Sequence, residues 1–204
     1  VLHNALVLGS YGSSALAAPR RVVDPARSAT LINVGRLSPE KGQILLLHVV
    51  ADLVGRWPGL RLIFAGTGPL EQALRETAET LGISDRVDFR GYVSDMPKLY
   101  ADCDLLVQSS YTEGLPNVVL EAAYLRLPIV ATDVGGTSEV VQHRRTAWLC
   151  SPTGSGLSAG IEAFLNDPSS FVGMAMSAHD DIVRDFSFDT RTARQVGIYE
   201  ELRQ

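Results

Sequence analysis

The chain has 204 residues, enough for one large domain with a full hydrophobic core. Its 46% hydrophobic and 20% charged residues are ordinary for a globular protein, and a formal net charge of −5 excludes a general nucleic-acid surface, which needs a basic face. No apolar run approaches the ~18 residues of a membrane span.

The first 30 residues carry the weakest pattern. "VLHNALV" has no initiator methionine and no signal peptide, so the chain reads as a piece of something longer. "GSYGSSALAAPRR" (9–21) is small and rich in Gly and Ser, the composition of a linker or loop, and residues 1–30 are expected to lead in from a missing domain.

From residue 31 to the end, one domain is expected. "TLINVG" (30–35) precedes "KGQILLLHVVADLVGRW", and "LRLIFAG" (60–66) precedes "GPLEQALRETAETLG". "RVDFRG" (86–91) leads to "SDMPKLYADC", and "DLLVQSS" (104–110) to "PNVVLEAAYLR". "LPIVATD" (127–133) and "TAWLCS" (146–151) complete the strands, the latter followed by "GSGLSAGIEAFLND". These strand-length segments are continuous apolar runs, so both sheet faces must be covered. The expectation is an α/β fold with a doubly wound, mostly parallel six-stranded sheet. Residues 168–204 read as additional C-terminal helices. Cys103 and Cys150 lie in apolar, strand-like contexts and read as free thiols of a reducing compartment in preference to a disulfide, which points to the cytoplasm.

An open parallel sheet binds ligands at the carboxyl ends of its strands. The first such loop, "VGRLSPEKGQ", brings Gly35, Arg36 and Lys41 together, and two cations there can converge on a phosphate. Read alone, they are equally two solvated surface charges. "FAGTGPLE" lacks the third glycine of a dinucleotide fingerprint and reads as a tight turn with Pro69 starting a helix. "RGYVSDMPKLY" exposes backbone at Tyr92 and Val93.

The loop "YTEGLPNVVLEAA" (111–123) carries most chemistry. Pro116 suits a first helical turn, so a helix is expected from about Leu115, with the amides of Leu115 to Val118 as an anion seat. Gly114 lets a ligand approach the backbone. Glu113 lies beside this seat, and Glu121 lies inside the helix on a face that reaches the same crevice. Carboxylates repel a diphosphate but accept hydrogen bonds from sugar diols. The competing reading makes Glu113 a helix-dipole partner and Glu121 an exposed helix residue.

Together "VGRLSPEKG", "FAGTGP" and "FRGYVSDMPKLYADCDLLVQSSYTEGLPNVVLEAAYLRLPIVATDVGGTSEVV" resemble the C-terminal, donor-binding domain of the retaining GT-B glycosyltransferases, the glycosyl transferase group 1 family. "VLHNAL" resembles, more weakly, the Pro-Asn-Gly segment that opens this domain, with His3 and Ala5 replacing the proline and glycine. Arg144 and Ala147 stand where the family usually has glycines.

The resemblance implies a Rossmann-like half of a GT-B fold and a nucleoside diphosphate sugar as donor substrate. It implies that Arg36 and Lys41 bind the diphosphate, that Glu113 faces the donor sugar, and that Glu121 binds ribose. Main chain at Tyr92 and Val93 would meet the base, and Gly114, Leu115, Pro116, Asn117 and Val118 would lie over phosphate and sugar, with Gly35 beneath. It further implies a missing N-terminal domain for the acceptor, through which any membrane contact would run.

No cofactor and no metal are expected. "DCD" (102–104) mimics the D-x-D of another glycosyltransferase fold, but it joins a helix end to a buried strand. Tyr92, Tyr100 and Tyr111 read as packing residues, with Tyr111 alone near enough to line the site. The activity expected is metal-independent sugar transfer by the full-length protein, the fragment alone being inactive. A nucleotide-sugar epimerase of related architecture and a non-catalytic nucleotide-sugar-binding module are the two rival readings.

Overall fold

The computed structural model describes residues 28–187 together with Thr190 and Thr192. The reading of residues 1–27 as a linker, and most of the helix read over 189–204, lie outside the described residues.

The six strands are β1 (Ala29–Val34), β2 (Leu60–Ala65), β3 (Val87–Phe89), β4 (Leu105–Gln108), β5 (Ile129–Thr132) and β6 (Trp148–Cys150). They form one sheet in the order β3-β2-β1-β4-β5-β6, and every neighbouring pair is parallel. This is the doubly wound arrangement that the continuous apolar runs require, because each strand is covered from both sides. Alternate residues face opposite ways. Leu31, Leu62, Phe64, Leu105, Val107 and Val130 join one core, and Ile32, Ile63, Leu106, Ile129 and Ala131 join the other.

The first core is covered by α1 (Gln43–Val54), α2 (Glu71–Thr80) and α6 (Gly154–Asn166). The second is covered by α3 (Met96–Ala101), α4 (Asn117–Tyr124) and the single turn α5 (Thr137–Val140). Each fully buried Leu, Ile or Phe in these layers contributes roughly 1.5–3 kcal/mol. The last helix, α7 (Pro168–Asp185), touches both cores. It packs Phe171 in the first, against the Trp148 ring of the edge strand, and Ala178 and Ile182 in the second. Its middle is pinned to α4, where His179 Nδ1 donates to the Tyr124 carbonyl at 2.5 Å. Among the described residues, no helix is long and apolar enough to cross a membrane.

Three local expectations are corrected. Pro116 is not inside a helix. It is extended (φ −77°, ψ 103°) and stands as the N-cap, its carbonyl accepting from Val119 at 3.1 Å and Leu120 at 3.2 Å. A residue preceding proline is pushed out of the helical region, so the helix starts after Pro116 and not from Leu115. For α2, likewise, Pro69 lies in a turn and the helix begins at Glu71. Cys103 is not in a strand. It follows α3, its thiol donating to the Leu99 carbonyl at 3.1 Å. Both cysteines are free.

Arg144, expected at a position of family glycines, adopts the left-handed conformation such a turn demands (φ 58°). Its guanidinium lies 4.9 Å from the Trp148 ring centroid, a cation–π contact that offsets part of the backbone cost.

The loops at the carboxyl end of the sheet interlock through backbone contact. A Cβ on Gly42 (φ 65°) would lie 2.1 Å from the Ser109 carbonyl oxygen, and one on Gly135 (φ 53°) would lie 1.8 Å from that of Glu113. Only glycine fits either place. Gly135→Ala is therefore expected to cost at least about 1–3 kcal/mol, from strain plus a collision with backbone. Gly55→Ala, at the right-handed C-cap of α1 with open space around it, should be neutral or stabilise by about 0.5 kcal/mol. Urea denaturation of the two variants reads both values.

Candidate functional site

The strand order reverses between β1 and β4, so the loops leaving them diverge to opposite faces and open a crevice. Residues 35–42 and 109–116 form its two lips. On the first, Gly35 ends β1, and Arg36 is exposed with no ion-pair or hydrogen-bond partner for its guanidinium among the described residues. Gln43 ties the Arg36 carbonyl down at 2.9 Å. Lys41 closes a short 3-10 turn over Pro39–Lys41. Its carbonyl accepts from Ser109 Oγ at 2.8 Å, and that hydroxyl accepts from Asn33 Nδ2 at 3.3 Å. A buried asparagine at the end of β1 thus fixes the backbone of a cation in the crevice.

The two lips meet in an ion pair. Lys41 Nζ lies 2.7 Å from Glu113 Oε1, with the side chains 26% and 10% exposed. Ser110 Oγ donates to the same Oε1 at 2.6 Å. Burial pushes the Glu113 carboxyl up, but the hydrogen bonds from Lys41 and Ser110 and the Lys41 charge outweigh it and hold the group below the ordinary glutamate range. Glu113 is an ionised acceptor at neutral pH, not a general acid.

The N-terminus of α4 forms the floor beside this pair. Its first-turn amides, at Asn117 and Val118, precede the first intrahelical bond, so the leading amides of the helix begin two residues later than the sequence suggests. Gly114 and Asn117 are exposed, Leu115 and Val118 half-buried, and Pro116 buried. The Gly136 amide donates to the Gly114 carbonyl at 2.8 Å and holds this loop from the β5 side.

Glu121 is half-buried just over one turn into α4. Its Oε2 accepts from Tyr100 Oη at 3.2 Å, so Tyr100, read from sequence only as a packing residue, also bonds to Glu121 from its buried place in α3. Tyr111 is half-exposed on the lip, its amide donating to the Glu40 carbonyl at 2.8 Å. Tyr92, 84% exposed, and half-buried Val93 stand at the end of β3, two strands from β1. The Gly91 carbonyl before them accepts from the Gly66 amide at 2.8 Å.

Sequence reasoning passed over Ser110, Asn33, Gln108, Thr132 and the Gly135-Gly136 pair. Their signal was polar residues inside or ending apolar runs, as in "LINV" and "LLVQSS".

The decoys take structural places. Asp104 Oδ2 accepts from the Thr30 amide at 2.8 Å, at the start of β1 and β4, the opposite end of the sheet from the crevice. Cys150 ends β6, and burial, with the Asp133 charge adding, pushes its thiol up to about 11, so it stays protonated. Among the described residues, no three His, Cys, Asp or Glu side chains converge as metal ligands.

The Lys41–Glu113 pair has a pH signature. A carboxyl held below its unfolded pKa stabilises the fold above that pKa, and the stabilisation is lost as pH falls through the lowered folded value. Glu113→Gln should cost roughly 1–2 kcal/mol at pH 7. The gap from the wild type should narrow as pH falls below the ordinary glutamate range and through the lowered folded value. Urea melts of both proteins across that range test this, since the other carboxylates titrate equally in each.

The family described as Glycosyl transferases group 1 matches residues 18–178. An uncharacterized glycosyltransferase of Haemophilus influenzae is 31% identical over 159 residues, 77% of this chain and 45% of that protein. A GDP-mannose-dependent alpha-(1-6)-phosphatidylinositol monomannoside mannosyltransferase of Mycobacterium tuberculosis is 29% identical over 175 residues, 81% of this chain and 46% of that protein. The chain spans about half the length of these curated relatives. HepE of Anabaena, solved in complex with UDP, superimposes with a TM-score of 0.85 at 26% identity, covering 98% of this chain and 57% of HepE. HepE has also been solved with UDP-glucose. On the family match and the shared six-stranded fold, the chain belongs to the glycosyl transferases group 1 family.

Proposed function

We propose that this chain is the donor-binding half of a retaining, metal-independent glycosyltransferase that moves a sugar from a nucleoside diphosphate sugar to an acceptor. One observation carries the reading. At the switch point of the sheet, Lys41 meets Glu113 near Arg36, whose guanidinium has no partner among the described residues, and near the first turn of α4. Cations and helix amides suit a diphosphate, and an ionised carboxylate suits the hydroxyls of a sugar. The UDP and UDP-glucose bound to HepE support the same ligand class.

In this reading Arg36, Lys41 and the α4 amides stabilise the charge that develops on the β-phosphate as it leaves the anomeric carbon. The same groups do the work of a divalent ion. Glu113 orients the sugar for transfer with retention, Glu121 takes the ribose, and main chain at Tyr92 and Val93 meets the base. The chain from β1 onward forms this donor half. Residues 1–30 connect to an acceptor-binding half that corresponds to the rest of the relatives' length, and closure of the two halves excludes water.

Titration calorimetry with UDP, GDP and ADP and their glucose or mannose conjugates tests the reading. At least one conjugate should bind, and its affinity should survive EDTA. Arg36→Ala should weaken the nucleoside diphosphate about ten- to a hundredfold while leaving the nucleoside unchanged. Loss of binding in EDTA, equal weakening of nucleoside and diphosphate, or epimerisation of the sugar without an acceptor would overturn it.

A further inference from the structure

We propose that Ser110 is the positioning residue for Glu113, holding its carboxylate toward the donor sugar when Lys41 turns to the diphosphate. This inference rests on the donor reading above and adds to it a residue which the motif itself does not mark.

Two donors share one oxygen. Lys41 Nζ at 2.7 Å and Ser110 Oγ at 2.6 Å both point at Glu113 Oε1. The second oxygen, Oε2, is left for a ligand hydroxyl. The two donors differ in what competes for them. Lys41 is 26% exposed on the lip of the crevice, where a diphosphate carrying more charge than a carboxylate draws the ammonium away. Ser110 is 2% exposed and beyond the reach of a ligand phosphate. It is also fixed from behind, since the buried Thr132 at the end of β5 donates its hydroxyl to the Ser110 carbonyl at 2.6 Å.

Gln108 adds a second, independent observation. Its side chain is 3% exposed, and neither its Nε2 nor its Oε1 has a hydrogen-bond partner. An amide orphaned in this way is costly unless some state of the protein satisfies it. It faces the Glu113 carboxylate without reaching hydrogen-bond geometry. When the Lys41 ammonium leaves, a small rotation of the carboxylate brings the amide into range. Ser110 and Gln108 then provide two neutral donors that keep Glu113 ionised and in one rotamer. Lys41 is released to the phosphate without leaving a buried charge unsupported.

The test compares UDP with UDP-glucose by titration calorimetry, because UDP has the diphosphate and lacks the sugar. The quantity read is the ratio of the two affinities. Ser110→Ala should leave UDP affinity within about twofold and reduce the UDP-glucose advantage about five- to tenfold. Ser110→Thr, which keeps the hydroxyl, should restore the advantage, and Gln108→Leu should reduce it less than Ser110→Ala. Equal loss of both ligands, or no loss of either, in a Ser110→Ala protein with a wild-type melting temperature would overturn the positioning role. A UDP-glucose advantage that is absent in the wild type would overturn it too. A wild-type chain that binds no nucleoside diphosphate or conjugate would instead overturn the donor reading on which it stands.

Discussion

A parallel strand covered on both faces can present polar groups only at its ends. Every polar residue at the carboxyl end of β1, β4 and β5 obeys that limit. Asn33, Gln108, Ser109, Ser110 and Thr132 are each at least nine-tenths buried, yet all lie within two residues of a strand terminus. They cannot reach water, so Asn33, Ser109, Ser110 and Thr132 bond to one another and to the loops above, while the Gln108 amide stays without a hydrogen-bond partner among the described residues. Asn33 and Ser109 fix the backbone of Lys41, and Thr132 fixes that of Ser110. The loops inherit rigidity from a hydrogen-bonded layer between an apolar sheet and an open crevice. Gly42 and Gly135 let the backbones above that layer close on each other.

The charge distribution follows the same economy. With a net charge of −5, the chain has no general attraction for anions. Arg56, Arg75, Arg86, Arg90, Arg145 and Arg184 are each matched to a carboxylate on the surface. Arg36 is not. Among the described residues its guanidinium makes no ion pair or hydrogen bond, while Lys41 is held against Glu113. On the donor-binding reading, a diphosphate would meet one cation at once and gain a second by displacing a carboxylate. Such an exchange would favour a ligand whose sugar can in turn occupy the carboxylate.

The sheet and the principal charges were legible because they are local signals. Six apolar runs gave six strands, and Arg36, Lys41 and Glu113 stood out as charges on strand-to-helix loops. What stayed hidden depends on pairing at a distance. Lys41 and Glu113 are 72 positions apart, and nothing in either loop says that they touch until β1 is known to lie beside β4. The Tyr100–Glu121 bond needs the packing of α3 on α4. Ser110 reads as one polar residue among several, and its role appears only when two donors are seen on one oxygen. The late start of α4 was within reach, since Leu115 precedes a proline. Arg144 shows the reverse case, where a left-handed turn persists without the glycine that would have announced it.

The order β3-β2-β1-β4-β5-β6 divides the chain into two consecutive halves that meet along one seam. Strands β1 to β3 come from residues 29–89 and β4 to β6 from 105–150, and only the β1–β4 pairing joins their sheets. Contacts within each half close loops of about thirty residues or fewer, whereas the seam closes one of more than seventy. Loop closure over the longer span costs more entropy. Arg36 and Lys41 belong to one half, Ser110 and Glu113 to the other. The crevice therefore exists only where both halves are folded and paired. A newly made or partly unfolded molecule, with one half ordered, holds cations or carboxylates but never both. On the donor-binding reading, a nucleotide that bridges the seam acts as a clasp across a contact that neither half can make alone.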